Sequence, residues 1–410
     1  METQKLKTYN YRWVVLFVFM LMMAMQQLLW ITFAAITSDA AVYFRVSELS
    51  VGILSMVFMI VYIFASIPAS WLIDTYGFHI SVGIGSVLTG VFGLLRGLFP
   101  SNYTLVLIFQ IGIAVGQPFI VNAVTKVAAR WFPMEERGTA SGLAWLAGYL
   151  GLIIGLVLTP YLIIDNNIPK MLLYYGIIAL ASAVLFILFA KEYPLTPQCK
   201  PEEEERSLVF DGLKQMLVNK EFIFLMIIFF VGLGVFNGLS TWIENILKPR
   251  GFTSIQAGII GGSMVLSGVI GSAVIPLLSD KLHNRVGFII LAIAGSIPGL
   301  IGITYSTSYS IVLISAFSLG FFMLSCAPLG FQYGAEIAYP APEGTSSGIL
   351  MMMGQISGII FIFGMDALKS SKTDSMTMPM NILILLMVLT VIICIKLKEP
   401  TKEKSYVLEK

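Results

Sequence analysis

Charge is scarce in this chain: Asp, Glu, Lys and Arg make up 12% of its 410 residues, about half the share usual in a water-soluble domain. With 57% apolar residues and a mean hydropathy of +0.87, it cannot cover a surface that faces water on all sides. A soluble globular protein is excluded, and the chain belongs in a bilayer. Histidine and cysteine are equally sparse. His79 and His283 both fall in short polar turns, and Cys199, Cys326 and Cys394 are widely scattered. Neither a disulfide framework nor a metal cluster is indicated, and no cofactor is expected. No Ser/His/Asp or paired-acid arrangement reaches the middle of an apolar run, so an enzyme is not expected. The formal net charge of +2 gives no reason to expect a nucleic acid partner. A cleavable signal peptide is not expected either: the first apolar run, 13–37, is too long for an h-region and lacks a convincing cleavage site, and it reads as the first membrane span.

Long apolar runs are what the chain does have. A bilayer core takes roughly 20 apolar residues in helix, and twelve runs of that kind follow one another: 13–37, 50–73, 80–100, 103–127, 138–162, 170–190, 221–246, 254–279, 285–305, 308–332, 345–368 and 378–396. The expected fold is therefore an all-α membrane protein, with twelve transmembrane helices in two pseudo-symmetric six-helix bundles. One long polar connection, 191–220, contains Lys191, Glu202 to Glu205, Arg206, Asp211 and Lys220. It divides the chain into a first bundle (1–190), a linker (191–220), a second bundle (221–397) and a tail (398–410). Placing the N-terminus inside puts 18 of the 25 Lys and Arg residues in inner segments and six in outer loops. Inner loops carry the excess of basic residues, so both termini are expected in the cytoplasm and the protein in the plasma (inner) membrane. The expected partners are the lipid bilayer and a small-molecule substrate, with a monomer as the working unit.

The chain is also written twice. Phe132-Pro133-Met134-Glu135-Glu136-Arg137-Gly138-Thr139-Ala140-Ser141-Gly142 is echoed by Tyr339-Pro340-Ala341-Pro342-Glu343-Gly344-Thr345-Ser346-Ser347-Gly348. Gly142 and Gly348 lie 206 positions apart (348 − 142), as do Asp74 and Asp280 (280 − 74), each of which closes an apolar stretch at a short turn. Parallel duplication of a hydrophobic half is the build of many secondary transporters, whose substrate site lies between the halves. Acidic and basic groups in such turns can pair with one another or with helix N-termini in one conformation and not in another. Asp74, Gly77, Glu136, Arg137, Asp280 and Glu343 are the gating candidates on this reading.

Polar side chains are costly in lipid, so those near the middle of a span face either a neighbouring helix or a cavity. The candidates are Gln26, Gln27 and Trp30 in span one, Gln117 and Asn122 in span four, Tyr149 in span five, Asn237 in span seven and Gln355 in span eleven. No Asp, Glu, Lys, Arg or His lies near the middle of any span. Arg96, Glu244 and Asp366 are toward outer ends, and Glu336 is at the inner end of span ten. A site of this kind suits a neutral or cationic solute held by an aromatic face and amide oxygens. It favours uniport, or coupling through a peripheral acid such as Glu244, itself expected at a surface or interface. Gly142, Gly148, Gly151 and Gly155 in span five allow a second helix to approach closely.

Twelve spans, a central linker and the duplicated turns resemble the major facilitator superfamily. The turn Asp74-Thr75-Tyr76-Gly77 is similar to its loop between spans two and three, with Phe78-His79 replacing the usual basic pair. Pro328-Leu329-Gly330-Phe331-Gln332-Tyr333-Gly334-Ala335-Glu336-Ile337-Ala338-Tyr339-Pro340 resembles, more narrowly, the feline leukaemia virus subgroup C receptor family, solute-carrier family 49. So do Ser55-Met56-Val57-Phe58-Met59 and Pro68-Ala69-Ser70-Trp71-Leu72-Ile73-Asp74-Thr75. Members of that family transport choline and ethanolamine, and haem and pyridoxine-type substrates are also proposed for them. The resemblance implies substrate contacts at Trp30, Gln117 and Gln355. Asn237 stands where the family has a tyrosine, so one wall of the implied aromatic cage is missing or supplied elsewhere. The implied activity is rocker-switch transport of a small organic cation or amino-alcohol. The alternatives are a proton-coupled multidrug or metabolite efflux carrier and, in a different class, a substrate-sensing membrane receptor.

Overall fold

A computed structural model describes residues 9–133, 136–163, 167–194, 216, 218–282, 284–338, 343–370 and 372–399. Every regular element among these residues is helical. Twelve helices are long and apolar enough to cross a membrane. Spans one to six are Tyr11–Phe44, Glu48–Tyr76, Phe78–Leu98, Tyr103–Trp131, Arg137–Leu162 and Ile168–Phe189. Spans seven to twelve are Lys220–Thr241, Ser254–Leu282, Arg285–Tyr305, Tyr309–Ala338, Ser346–Ala367 and Thr377–Cys394. The chain divides into two compact units, Met1–Glu205 and Arg206–Lys410.

The duplication extends to helix boundaries. Glu48–Tyr76 and Ser254–Leu282 start and stop 206 residues apart (254 − 48, 282 − 76). Tyr103 and Tyr309 begin helices at the same offset (309 − 103). Each unit also pairs its spans in the same way. In the first, span two packs on four, three on four, one on five and three on six; in the second, the pairs are eight on ten, nine on ten, seven on eleven and nine on twelve. Apolar residues on the outward faces, such as Phe64, Ile67, Leu188, Leu277 and Ile314, are exposed, as suits helices in contact with lipid.

Three spans are broken where continuous helices were expected. Span one runs helically from Tyr11 to Ile31, tightens into a 3-10 turn at Ala34–Ile36, and resumes at Thr37–Phe44. At the break, the Thr32 hydroxyl donates to the Leu28 and Leu29 carbonyls, competing with the ladder that would continue the helix. Span seven stops at Thr241, turns at Trp242 and restarts at Ile243. The restarts at Thr37 and Ile243 are again 206 residues apart (243 − 37). Span four is interrupted between Val121 and Val124, one turn after Pro118.

Candidate substrate-contact residues and a duplicated clasp

The eight candidate contacts separate into two groups. Gln26 is fully buried, and its amide nitrogen donates to the Thr89 hydroxyl and the Ile113 carbonyl. It ties span one to spans three and four instead of lining a cavity, because an amide sealed in a helix interface takes its partners from the neighbouring helices. Trp30 is 7% exposed, and its indole N–H donates to the Ser55 carbonyl at 3.1 Å. Only its ring faces remain for a ligand, and alanine there would cost about 3–5 kcal/mol of packing. Asn122 bonds to Tyr62, Ser66 and Ser70 of span two. Asn237 donates to the Gly354 carbonyl of span eleven at 3.1 Å. The other four are uncommitted. Gln27, Gln117, Tyr149 and Gln355 are half-buried, and none makes a side-chain hydrogen bond among the described residues.

Beside these stands a centre that the sequence did not single out. Arg96, in the last turn of span three, is completely buried. Its Nη1 donates to Gln110 Oε1 at 2.6 Å, and its guanidinium lies 5.6 Å from the Phe33 ring. Gln110 in turn donates to the carbonyls of Leu29 and Leu54, at 3.2 and 3.1 Å. One glutamine thus joins spans one, two, three and four just below the break in span one. Glu244 also departs from its expected surface position. Its side chain is 1% exposed, 3.3 Å from Lys248 Nζ, and it accepts from the Ser254 hydroxyl. In the second unit, Phe229, Phe236, Ile293, Met323 and Cys326 line a small cavity whose walls offer an amine no polar anchor.

Of the gating candidates, Asp74 pairs with Lys126 at 3.5 Å and Asp280 with Arg285 at 2.9 Å. Glu136 pairs with Arg12 at 3.0 Å, and Arg137 donates to the carbonyls of Phe132 and Ala129. Arg285 also grips Glu336, with contacts of 2.7 and 2.9 Å. The side chain of Glu343 lies outside the described residues. Gly77 has φ +88°, a conformation that favours glycine, and a Cβ there would overlap the Glu192 carboxyl group.

That carboxyl group belongs to a clasp built twice. Glu192 accepts from the His79 backbone N–H at 2.7 Å, capping the start of span three. Glu399 accepts from the Val286 N–H at 2.6 Å, capping the start of span nine. Both offsets are 207 (399 − 192, 286 − 79). The first turn of a helix has unpaired N–H groups and a positive dipole end, so a carboxylate is stabilised there. The residue before each acid is anchored as well. Trp131 Nε1 donates to the Lys191 carbonyl and the Tyr333 hydroxyl to the Lys398 carbonyl, both at 2.9 Å. Arg130 adds a 3.8 Å contact to Glu192.

The sequence profile of the Major Facilitator Superfamily matches residues 13–362. Solute carrier family 49 member A3 of Xenopus tropicalis is 30% identical over 374 residues, covering 87% of this chain and 77% of that protein. The chain belongs to solute carrier family 49 of the major facilitator superfamily. Among other family 49 relatives, the choline/ethanolamine transporter FLVCR2 of Rattus norvegicus is 28% identical over 380 residues, covering 88% of this chain and 70% of its own length. Solved structures share the fold at lower identity. A bacterial homolog of the human lysosomal transporter Spinster, inward-facing and unoccupied, superposes with TM-score 0.73 at 15% identity, over 95% of this chain and 96% of that one. A point mutant of the nucleoside transporter NupG gives TM-score 0.73 at 13% identity, over 93% of this chain and 99% of that one.

In this family 49 protein, the clasp had a readable signal: Lys191-Glu192-Tyr193-Pro194 recurs as Lys398-Glu399-Pro400, 207 residues on. Gln110 and Thr89 carried no signal beyond being polar in an apolar run. The span-five glycines divide. Gly151 lies against the Ala24 backbone and Gly155 against Ile31, whereas Gly142, expected to pack, has nothing within 4 Å of a would-be Cβ.

Proposed function

We propose that this transporter carries a small organic cation or amino-alcohol, such as choline or ethanolamine, by alternating access and without a coupling ion. The supporting observation is the set of uncommitted amides. Gln27, Gln117 and Gln355, with Tyr149, are the predicted contacts whose polar atoms are not already spent on neighbouring helices. An amide presents both donor and acceptor and holds no fixed charge, so it suits an ammonium or a hydroxyl and gives a multivalent anion no cation to pair with. The relatives named choline/ethanolamine transporters point to the same class. Trp30 contributes a ring face to the cation, and Asn237 in place of an aromatic wall tilts preference toward the smaller, less methylated amine. Both termini face the cytoplasm on this reading, and the monomer is the working unit.

A thermal-shift screen of purified protein against choline, ethanolamine, related amines, pyridoxine and haem tests the proposal, since a ligand that binds only the folded state raises the melting temperature. Stabilisation by an amine, lost in Gln117→Ala and Gln355→Ala, supports it. Stabilisation only by a bulky or anionic compound discards the substrate class. The buried carboxyl group of Glu244 favours one alternative, proton-coupled transport. Uptake that responds to a pH gradient in the parent and not in Glu244→Gln would select that reading over uniport.

A further inference from the structure

The last four carbonyls of a helix have no partner in its own ladder, and Trp30 sits at such an end, the last residue but one of the helix Tyr11–Ile31. Side chains take three of those four carbonyls. The Thr32 hydroxyl is shared between Leu28 and Leu29, the Gln110 amide donates to Leu29 at 3.2 Å, and the Ser55 hydroxyl donates to Trp30 at 3.3 Å. Two of these donors come from other spans, Gln110 from span four and Ser55 from span two. The backbone that carries Trp30 is therefore held from outside its own helix.

The same residues hold the ring. Trp30 donates its indole N–H to the Ser55 carbonyl at 3.1 Å while Ser55 donates its hydroxyl to the Trp30 carbonyl, so the two residues are bonded in both directions. Gln110 grips the carbonyls of Leu29 and Leu54, the residues immediately before Trp30 and Ser55 in sequence. One amide thus fixes the register of the two segments that the reciprocal pair joins. Its neighbours decide its own orientation. A guanidinium can only donate and a backbone carbonyl can only accept. The amide satisfies both sides when its oxygen faces Arg96, at 2.6 Å, and its nitrogen faces the two carbonyls. Gln110, Arg96 and Ser55 are all sealed from solvent, so none of them meets a solute directly. A cation is attracted to the face of an aromatic ring within about 6 Å of its centre. An indole tied at its N–H cannot turn that face away without breaking the bond, and a solute that meets it does not bear the cost of ordering it.

We infer that Gln110 is a positioning residue for the transported solute: it holds the Trp30 ring in the plane that meets the cation, and Arg96 keeps the Gln110 amide in the orientation that does so. This rests on Trp30 being a contact for an amine, and one readout needs no solute. The decisive variant is Gln110→Glu. A carboxylate there still accepts from Arg96, and the ion pair offsets the lost bonds, but it cannot donate to Leu29 or Leu54. The protein is labelled with 5-fluorotryptophan, and the Trp30 fluorine resonance is identified among those of six tryptophans by its loss in Trp30→Phe. In Gln110→Glu that resonance should shift or split while the melting temperature stays close to that of the parent. The ethanolamine concentration needed for a given thermal shift should rise about tenfold, the scale of one hydrogen bond. Arg96→Met removes the buried charge together with the donor to the Gln110 oxygen, and should disturb the same resonance with a smaller loss of affinity. An unchanged Trp30 resonance in Gln110→Glu overturns the inference; should that variant fail to fold, an unchanged resonance in Arg96→Met overturns it instead. A shifted resonance with parental ethanolamine affinity overturns the positioning role as well. A shifted resonance in a protein whose parent no amine stabilises supports the hold on Trp30 and removes the amine substrate class.

Discussion

Gln110 and Ala316 occupy equivalent positions of the repeat (316 − 110 = 206), and they show how differently the two halves are held. In the first half, Gln110 receives the Arg96 guanidinium and ties two carbonyls, Gln26 reaches Thr89 and Ile113, and Thr159 shares a 2.9 Å hydrogen bond with Tyr175. The second half has Gly232 where the first has Gln26 (232 − 26 = 206). Its contacts are close backbone approaches: a Cβ at Gly320 would overlap the Met264 carbonyl, and one at Gly271 the Phe321 carbonyl. Its hydroxyls at Ser267, Ser296 and Ser325 fold back on their own helices. Helices in lipid associate either through interhelical hydrogen bonds or through small residues that let backbones touch. Both halves bring backbones together at small residues, as at Gly151 against Ala24 and Gly320 against Met264; the first adds a fully buried side-chain network around Gln110 and Gln26.

The largest break in that contrast is expected from Gln110→Ala. It strips the buried Arg96 of its hydrogen-bonded partner and unties span four from the Leu29 and Leu54 carbonyls of spans one and two, at a cost of about 3–5 kcal/mol. Thermal unfolding in detergent measures it, and a loss under about 1 kcal/mol would mean that the first half does not depend on this centre. Next comes the packing side. Gly320→Ala should cost about 1–3 kcal/mol by overpacking, whereas Gly142→Ala, with open space around it, should cost nothing measurable. Equal effects at the two glycines would remove the distinction.

A functional comparison follows. Gln117→Ala and Gln355→Ala, one in each half, should each weaken amine binding by about tenfold, or about 1.4 kcal/mol, with melting temperatures unchanged. A drop in affinity from one of them alone would show that only that half contacts the solute. The clasps should then behave alike. Glu192→Gln and Glu399→Gln each remove a carboxylate from a helix N-terminus and should each cost about 1 kcal/mol. A difference larger than that cost would show that the symmetry is geometric only. Smallest is Asp74→Asn: with that side chain 74% exposed and 3.5 Å from Lys126, the loss should stay below about 1 kcal/mol and shrink further in high salt.

Much of this molecule was legible in order of sequence. Apolar run length located all twelve spans, and the repeated Gly142 and Gly348 announced the duplication that the helix boundaries then followed. The breaks in spans one, four and seven were not legible: the Thr32 hydroxyl bonds back within its own helix, as many hydroxyls in unbroken helices also do, and only folding brings Asn122 against span two and Trp242 against Ile362. The site was half legible. Polar type and depth identified eight residues, but type alone could not tell Gln26, sealed between helices, from its neighbour Gln27, left uncommitted. About 100° of helical rotation separates them.

What the sequence determined by itself was everything that depends on counting along one helix: span length, the repeat, the family and the scarcity of charge in the bilayer. The tertiary structure decided which polar groups are already paired. Hydrogen bonds are satisfied across helix interfaces, between residues such as Gln26 and Thr89 or Asn122 and Ser70 that are far apart in the chain, and what remains unpaired is left to meet a solute.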